Sequence, residues 1–128
     1  MGKRIRAQRK GSSPRYRVRS HRFPGSNRMP RENDIVGEVT ELIHSPVHSA
    51  PLARLKLPDG DTTLVVATEG LSVGSNVAVG NNVSLRPGNI TSIGNIPEGT
   101  AINNLELRPG DGGKVARSAG NSCYVEAK

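Results

Sequence analysis

The residues with the strongest claim to chemistry lie at 108–120, where the chain reads RPGDGGKVARSAG. Four glycines and a proline share these thirteen positions with three cations, Arg108, Lys114 and Arg117. A glycine-rich basic loop either wraps a nucleotide phosphate in an enzyme or lays its backbone against a larger polyanion. The first use has a strict pattern. A phosphate-binding loop ending on Gly113-Lys114 requires glycine five positions before Gly113 and Ser or Thr after the lysine, and the chain has Arg108 and Val115 there. A dinucleotide fingerprint starting at Gly110 requires glycine in place of Val115. Both patterns fail, which sets nucleotide binding aside. Two readings remain: a surface turn with solvated cations, or contact with a phosphate backbone. In the second, Gly110, Gly112 and Gly113 let the main chain approach closely and leave N–H groups free.

No other constellation offers chemistry. His21, His44 and His48 are scattered and far from the lone cysteine, Cys123, so no metal site is expected. Cys123 stands beside Tyr124 in an apparent strand and reads as packing. No Ser/His/Asp arrangement or pair of close carboxylates stands out. The expectation is a protein that is not an enzyme, with no cofactor, no metal and no small-molecule substrate.

The elements that would carry such a loop divide sharply by composition. Residues 1–31 hold eleven Lys and Arg and no acid, whereas residues 32–128 hold seven cations and eleven acids, so the net +7 separates into +11 and −4. The Ile, Leu and Val residues divide at the same place, two before and 26 after. The first segment cannot bury enough surface to offset the entropy of ordering itself, whereas the second can build an aliphatic core. The chain therefore reads as a basic arm on a mildly acidic body. A block of like charge needs a polyanion. A membrane surface would call for an amphipathic helix, and Pro14, Pro24 and Pro30 interrupt a segment with no apolar face. Nucleic acid is favoured. The candidate contacts are Lys3, Arg4, Arg6, Arg9, Lys10, Arg15, Arg17, Arg19, Arg22, Arg28 and Arg31, with His21 among them; Tyr16, His21 and Phe23 are of a type that stacks on bases or riboses. No apolar run is long enough to span a bilayer, and one cysteine suits a reducing compartment, so a cytoplasmic location is expected.

The body reads as short strands between turns. Strands are expected over Asp34–Ile43, Leu52–Leu57 and Thr62–Ala67, the last two joined by Pro58-Asp59-Gly60-Asp61. Further strands fit Asn76–Val79, Val83–Leu85 and Ala101–Leu107, and TEGLSVG has room for one helical turn. LRPGNI and LRPGDG echo one another weakly. Glycine punctuation this frequent points to an all-β fold of small barrels.

These runs resemble a known family. GNIPEGTAINNLELRPGDGGKVARSAG, HSPVHSAPLARLKLPDGD, TEGLSVG and the opening GKRIRAQRKG with RSHRF are similar, in order, to the universal large-subunit ribosomal protein L-two family, in its archaeal–eukaryotic wording. The resemblance implies an N-terminal extension, an oligonucleotide-binding-type (OB) barrel and then an SH3-like barrel. Mapped here, these are an arm over 1–33, disordered when free, the first barrel over 34–88 and the beginning of the second over 89–128. It also implies binding to large-subunit ribosomal RNA beside neighbouring ribosomal proteins, in the large ribosomal subunit, with roles in subunit association and tRNA binding. Arg117 matches a family position that contacts ribosomal RNA. Lys114 and the glycines match the surrounding loop, and Ser118 and Gly120 complete the same run. In HSPVHSAPLA, His48 stands next to Ser49 where the family usually has arginine, and a neutral imidazole cannot supply a guanidinium fork.

The family runs to nearly twice this length. The second half of the SH3-like barrel is not in the sequence, so no catalytic-centre role is credited to it, and apolar surface is expected to lie open around Val115 and Val125. The rival readings are a free OB-type RNA-binding translation factor or RNA chaperone, a DNA-compacting protein, and an RNA-acting enzyme. A body whose only aromatic is Tyr124 disfavours the first, and its acidity the second. If about ten arm cations meet phosphates, the logarithm of RNA affinity falls against log salt with a slope of roughly −7 to −9. Filter binding across a salt series measures this. A shallow slope, with affinity unchanged on deleting residues 1–31, removes the electrostatic role of the arm.

Overall fold

Between residues 35 and 79 the sequence is rich in Val, Leu, Ile and Thr. Such side chains suit a pleated surface packed on neighbours. A computed structural model describes residues 2–17, 19–31 and 33–128 and shows these segments as one antiparallel sheet. Strands β1 (Ile35–Ile43), β2 (Leu52–Lys56), β3 (Thr62–Val66) and β4 (Asn76–Val79) lie side by side in the order β3-β2-β1-β4. The β2–β3 hairpin pairs Leu52 with Val66 and Lys56 with Thr62. Its Pro58–Asp61 turn closes through Leu57 N–H to the Asp61 carbonyl at 2.8 Å, with Gly60 at φ +91°. β1 pairs with β2 from Glu38–Lys56 to Ile43–Leu52, and the register shifts between Val39 and Glu41. Such a bulge bends the strand and increases its twist.

Alternation along the strands sends residues to two faces. Val39, Ala53, Leu55, Val65 and Val77 form the main core, joined by Ala67, Leu71 and Ile90. Ala50, Leu52 and Val66 pack with Leu64 in a second, smaller cluster. The all-β class holds. Among the described residues the sheet is open and does not close into a barrel, because β3 and β4 stand at its two edges.

Neither edge is left bare. Along β3, Arg28 N–H donates to the Leu64 carbonyl at 2.8 Å, and the Thr63 hydroxyl donates to the Arg28 carbonyl at 2.7 Å. Along β4, Ile90 N–H donates to the Ala78 carbonyl at 2.9 Å and Gly80 N–H to the Ile90 carbonyl at 3.0 Å. Gly80 has φ +154°, and a side chain there would run into Asp34. Downstream, β5 (Ala101–Ile102) pairs antiparallel with β6 (Cys123–Tyr124), and Leu105 bridges Val115.

Several sequence expectations are corrected. Val83–Leu85 is not a strand, because the segment runs between turns and pairs with no strand among the described residues. The strand foreseen over Ala101–Leu107 stops at Ile102, since Asn104 takes a left-handed backbone, φ +54°. TEGLSVG forms no helical turn; it makes two tight turns, with Gly70 at φ +86° and Gly74 at φ +87°. Val115 is exposed as foreseen, but Val125 is buried, because its N–H donates to the Thr100 carbonyl and its own carbonyl accepts from Gly99. The arm contains a seven-residue helix, Arg6–Ser12, and two short 3-10 turns, Pro14–Tyr16 and Ser20–Arg22. Met1, Val18 and Glu32, which fall within the expected arm, lie outside the described residues.

Leu55 is wholly inaccessible at the centre of the larger cluster. Leu55→Ala is expected to lower the unfolding free energy by about 2–5 kcal/mol, a large share of a small domain's total. Urea denaturation read by circular dichroism gives the value.

Candidate nucleic-acid interface

The basic loop is built from a tight turn and an internal anion. Arg108-Pro109-Gly110-Asp111 closes through Asp111 N–H to the Arg108 carbonyl at 3.1 Å, with Gly110 at φ +77°. Proline second and a left-handed glycine third are the residues a type II turn demands. The earlier Arg86-Pro87-Gly88-Asn89 repeats it, with Asn89 N–H to the Arg86 carbonyl at 3.1 Å and Gly88 at φ +93°. The echo between LRPGNI and LRPGDG is therefore structural. The first turn delivers Asn89–Ile90 to the edge of β4, and the second projects Arg108 into solvent.

The loop's amides are not open as the sequence suggested. Gly110 N–H donates to Glu106 Oε2 at 3.0 Å and Gly112 N–H to Glu106 Oε1 at 2.9 Å. Gly112 also sits at φ +82°. Gly113 is buried against Asn104, and a side chain at 113 would collide with the Asn104 amide. Here glycine is needed for close approach. The next residues fold back on Leu105, whose carbonyl accepts from Lys114 N–H at 2.7 Å and Val115 N–H at 3.1 Å. Lys114 pairs with Asp111 at 2.6 Å, which partly neutralises it. Ala116 is left-handed, φ +53°, and buried. Arg117 is half-buried, and its Nε has no hydrogen-bond partner among the described residues. A buried N–H without an acceptor is a costly arrangement in a folded protein.

Two segments distant in sequence meet at this loop. Ala119 N–H donates to the Ser49 hydroxyl at 3.1 Å, which ties the HSPVHSAP loop to the segment that carries Arg117, Ser118 and Gly120. His48 Nδ1 lies 2.8 Å from the hydroxyl of Ser45, which is buried. One ring nitrogen of His48 is thus engaged within its own loop.

The arm presents its charge to solvent. Lys3, Arg4, Arg6, Arg9, Lys10, Arg15, Arg17, Arg19, His21, Arg22, Arg28 and Arg31 are all exposed. Among the described residues the ion pairs are Arg54–Glu41 and Lys114–Asp111, and neither involves an arm cation. The Lys10 ammonium lies 5.9 Å from the Tyr16 ring centre, within reach of a cation–π attraction. The root of the arm is pinned to the body. Asn27 Oδ1 accepts from Val66 N–H at 3.2 Å, and Asn27 Nδ2 donates to Asn104 Oδ1 at 2.8 Å.

Asn104 thus touches the arm through Asn27 and the basic loop through Gly113. It also donates its N–H to the Ala116 carbonyl at 3.0 Å. Asn27, Asn104, Glu106 and Arg86 were not singled out from sequence. The one available signal was the repeated Arg-Pro-Gly. Asparagine and glutamate in turns are too common to mark themselves. Among the described residues no cluster of His, Cys, Asp or Glu is suited to a metal, and no helix is long and apolar enough to cross a membrane.

The geometry defines an all-β protein in which an exposed basic arm and a glycine-rich basic loop are tied to one small antiparallel sheet. The comparisons with known proteins carry it further. The family model for the RNA-binding N-terminal domain of Ribosomal Proteins L2 matches residues 2–79, and that for the C-terminal domain of Ribosomal Proteins L2 matches residues 86–128. The large ribosomal subunit protein uL2 of Methanopyrus kandleri is 43% identical over 132 residues, covering 98% of this chain and 54% of the relative. That of Archaeoglobus fulgidus is 42% identical, covering 100% and 55%, and that of Natronomonas pharaonis 44% identical, covering 98% and 53%. The chain belongs to the ribosomal protein L2 family. It spans about half the length of the curated relatives it matches.

Asn27→Ala removes two hydrogen bonds at the arm root, each contributing about 0.5–1.5 kcal/mol. Amide exchange at Val66 and Arg28 is expected to speed up by about tenfold while β1 and β2 stay protected. Hydrogen-exchange mass spectrometry resolves the two regions.

Proposed function

We propose that this chain is a structural, non-catalytic constituent of the large ribosomal subunit that binds ribosomal RNA. The ribosomal role follows from the uL2 relatives, which match 98–100% of the chain at 42–44% identity. The RNA-binding mode rests on one observation above others: the eleven arm cations lie exposed, and among the described residues none is paired with a carboxylate of the body. Folded RNA supplies the missing counter-charge. Its deep, narrow major groove resists side chains, so contact with backbone and minor groove is the accessible mode.

In this reading residues 1–33 are the RNA-threading arm, 34–88 an OB-type unit and 89–128 the start of the SH3-like unit. The arm neutralises phosphates between RNA helices. Arg108, Lys114 and Arg117 engage the backbone at the loop, with Ser118, Gly120, His48 and Ser49 at the same place. The partners are large-subunit ribosomal RNA and neighbouring ribosomal proteins, and the location is the cytoplasm, in the large subunit. Roles in subunit association and tRNA binding follow from the family alone.

The test is to wash the organism's large ribosomal subunits in high salt and search the retained proteins for peptides across residues 1–128. Retention is expected. Loss of every such peptide at moderate salt, with the free protein still binding RNA, overturns the reading in favour of a free RNA-binding factor.

A further inference from the structure

We propose that the Glu106 carboxylate is a built-in anion that holds residues 108–113 in RNA-binding shape, a positioning role that rests on reading this loop as an RNA contact. A carboxylate is an unexpected neighbour for a surface meant to meet phosphates, because like charge weakens that contact at close range. Its geometry gives it a different task. Each of its oxygens accepts from one left-handed glycine, Oε2 from Gly110 at 3.0 Å and Oε1 from Gly112 at 2.9 Å. Backbone amides converging on an anion are an arrangement that elsewhere binds phosphate, although here the two amides alternate with Asp111 N–H, which closes the turn onto Arg108. Here the protein supplies the anion itself.

The amides point inward at Glu106, so RNA is met by side chains. The Asp111 N–H to Arg108 carbonyl bond and the Lys114 N–H to Leu105 carbonyl bond close the loop on either side of the carboxylate, which fixes where Arg108 leaves the surface. This glycine-rich stretch also loses its entropy during folding rather than on binding, the usual benefit of preorganisation. With Glu106 gone, Gly110 and Gly112 would lose their shared acceptor, and the loop would sample many shapes.

The experiment compares the full chain with Glu106→Gln, Glu106→Asp and Arg117→Ala for binding to the large-subunit ribosomal RNA of Archaeoglobus fulgidus over a salt series. Thermal melts verify that each variant folds. Glutamine removes the negative charge; aspartate keeps it but is one methylene too short to span both amides. If charge alone matters, Gln binds tighter and Asp binds like the parent. The built-in anion predicts the opposite: both bind about tenfold weaker, on the order of one charge-assisted hydrogen bond. It also predicts a salt slope shallower by about one unit for each phosphate that the loop no longer engages, a change that reduced stability alone does not produce. Weakening by Arg117→Ala together with unchanged or tighter binding by both Glu106 variants overturns the inference and leaves the loop as an RNA contact. No effect of Arg117→Ala overturns the loop reading itself.

Discussion

A sheet with two free edges must satisfy the backbone groups along them, and in this protein nearly everything of functional interest hangs from the way it does so. An open edge costs unpaired N–H and C=O groups and invites other chains to pair. At β3 the edge is covered by Asn27 and Arg28, so the root of the basic arm is fixed by the needs of the sheet. At β4 it is covered by Asn89 and Ile90, delivered by an Arg-Pro-Gly turn. Asn27 then reaches Asn104, and Asn104 holds Gly113 in place. Edge cover thereby becomes a chain of contacts from arm to sheet to basic loop.

Charge and shape are handled by different parts of the molecule. The arm contributes charge with little fixed structure around it; its helix, Arg6–Ser12, has no acid in its first turn and no side-chain cap. The loop contributes shape with little net charge, because Asp111 and Glu106 stand against Arg108, Lys114 and Arg117. Lys114 is held by Asp111, an exposed pair of the kind that contributes at most about 1 kcal/mol. The acidic body keeps the cations from spreading over the whole surface, which favours contact at particular places over general adhesion to nucleic acid.

The four strands of the sheet were legible because β-branched runs and the Pro58–Asp61 turn carry local signals that tertiary structure did not override. Asn76–Val79 was read to the residue. The failures lie where long-range contacts decide. Ala101–Leu107 has Ile and Leu at strand-like spacing, yet Asn104 is bent into the left-handed region where Gly113 packs against it. Val83–Leu85 has suitable residues but no neighbouring strand to pair with among the described residues. Of the site, the positive charge and the glycines of 108–120 were visible in sequence. The carboxylate inside the loop was not, because glutamate four residues before a glycine carries no pattern of its own. Nor was the meeting of Ser49 with Ala119, which are 70 residues apart.

The wiring of the arm root also sets an order in time. Asn27 is bonded to partners 39 and 77 residues further along, at Val66 and Asn104. A chain made from its N-terminus at about 5–20 residues per second exposes the arm first, several seconds before the residue that will finally lock its base. During that interval the most highly charged segment is already in solution while its attachment to the body is incomplete. The base of the arm is therefore fixed by long-range bonds, which cannot form until residues 66 and 104 have been made.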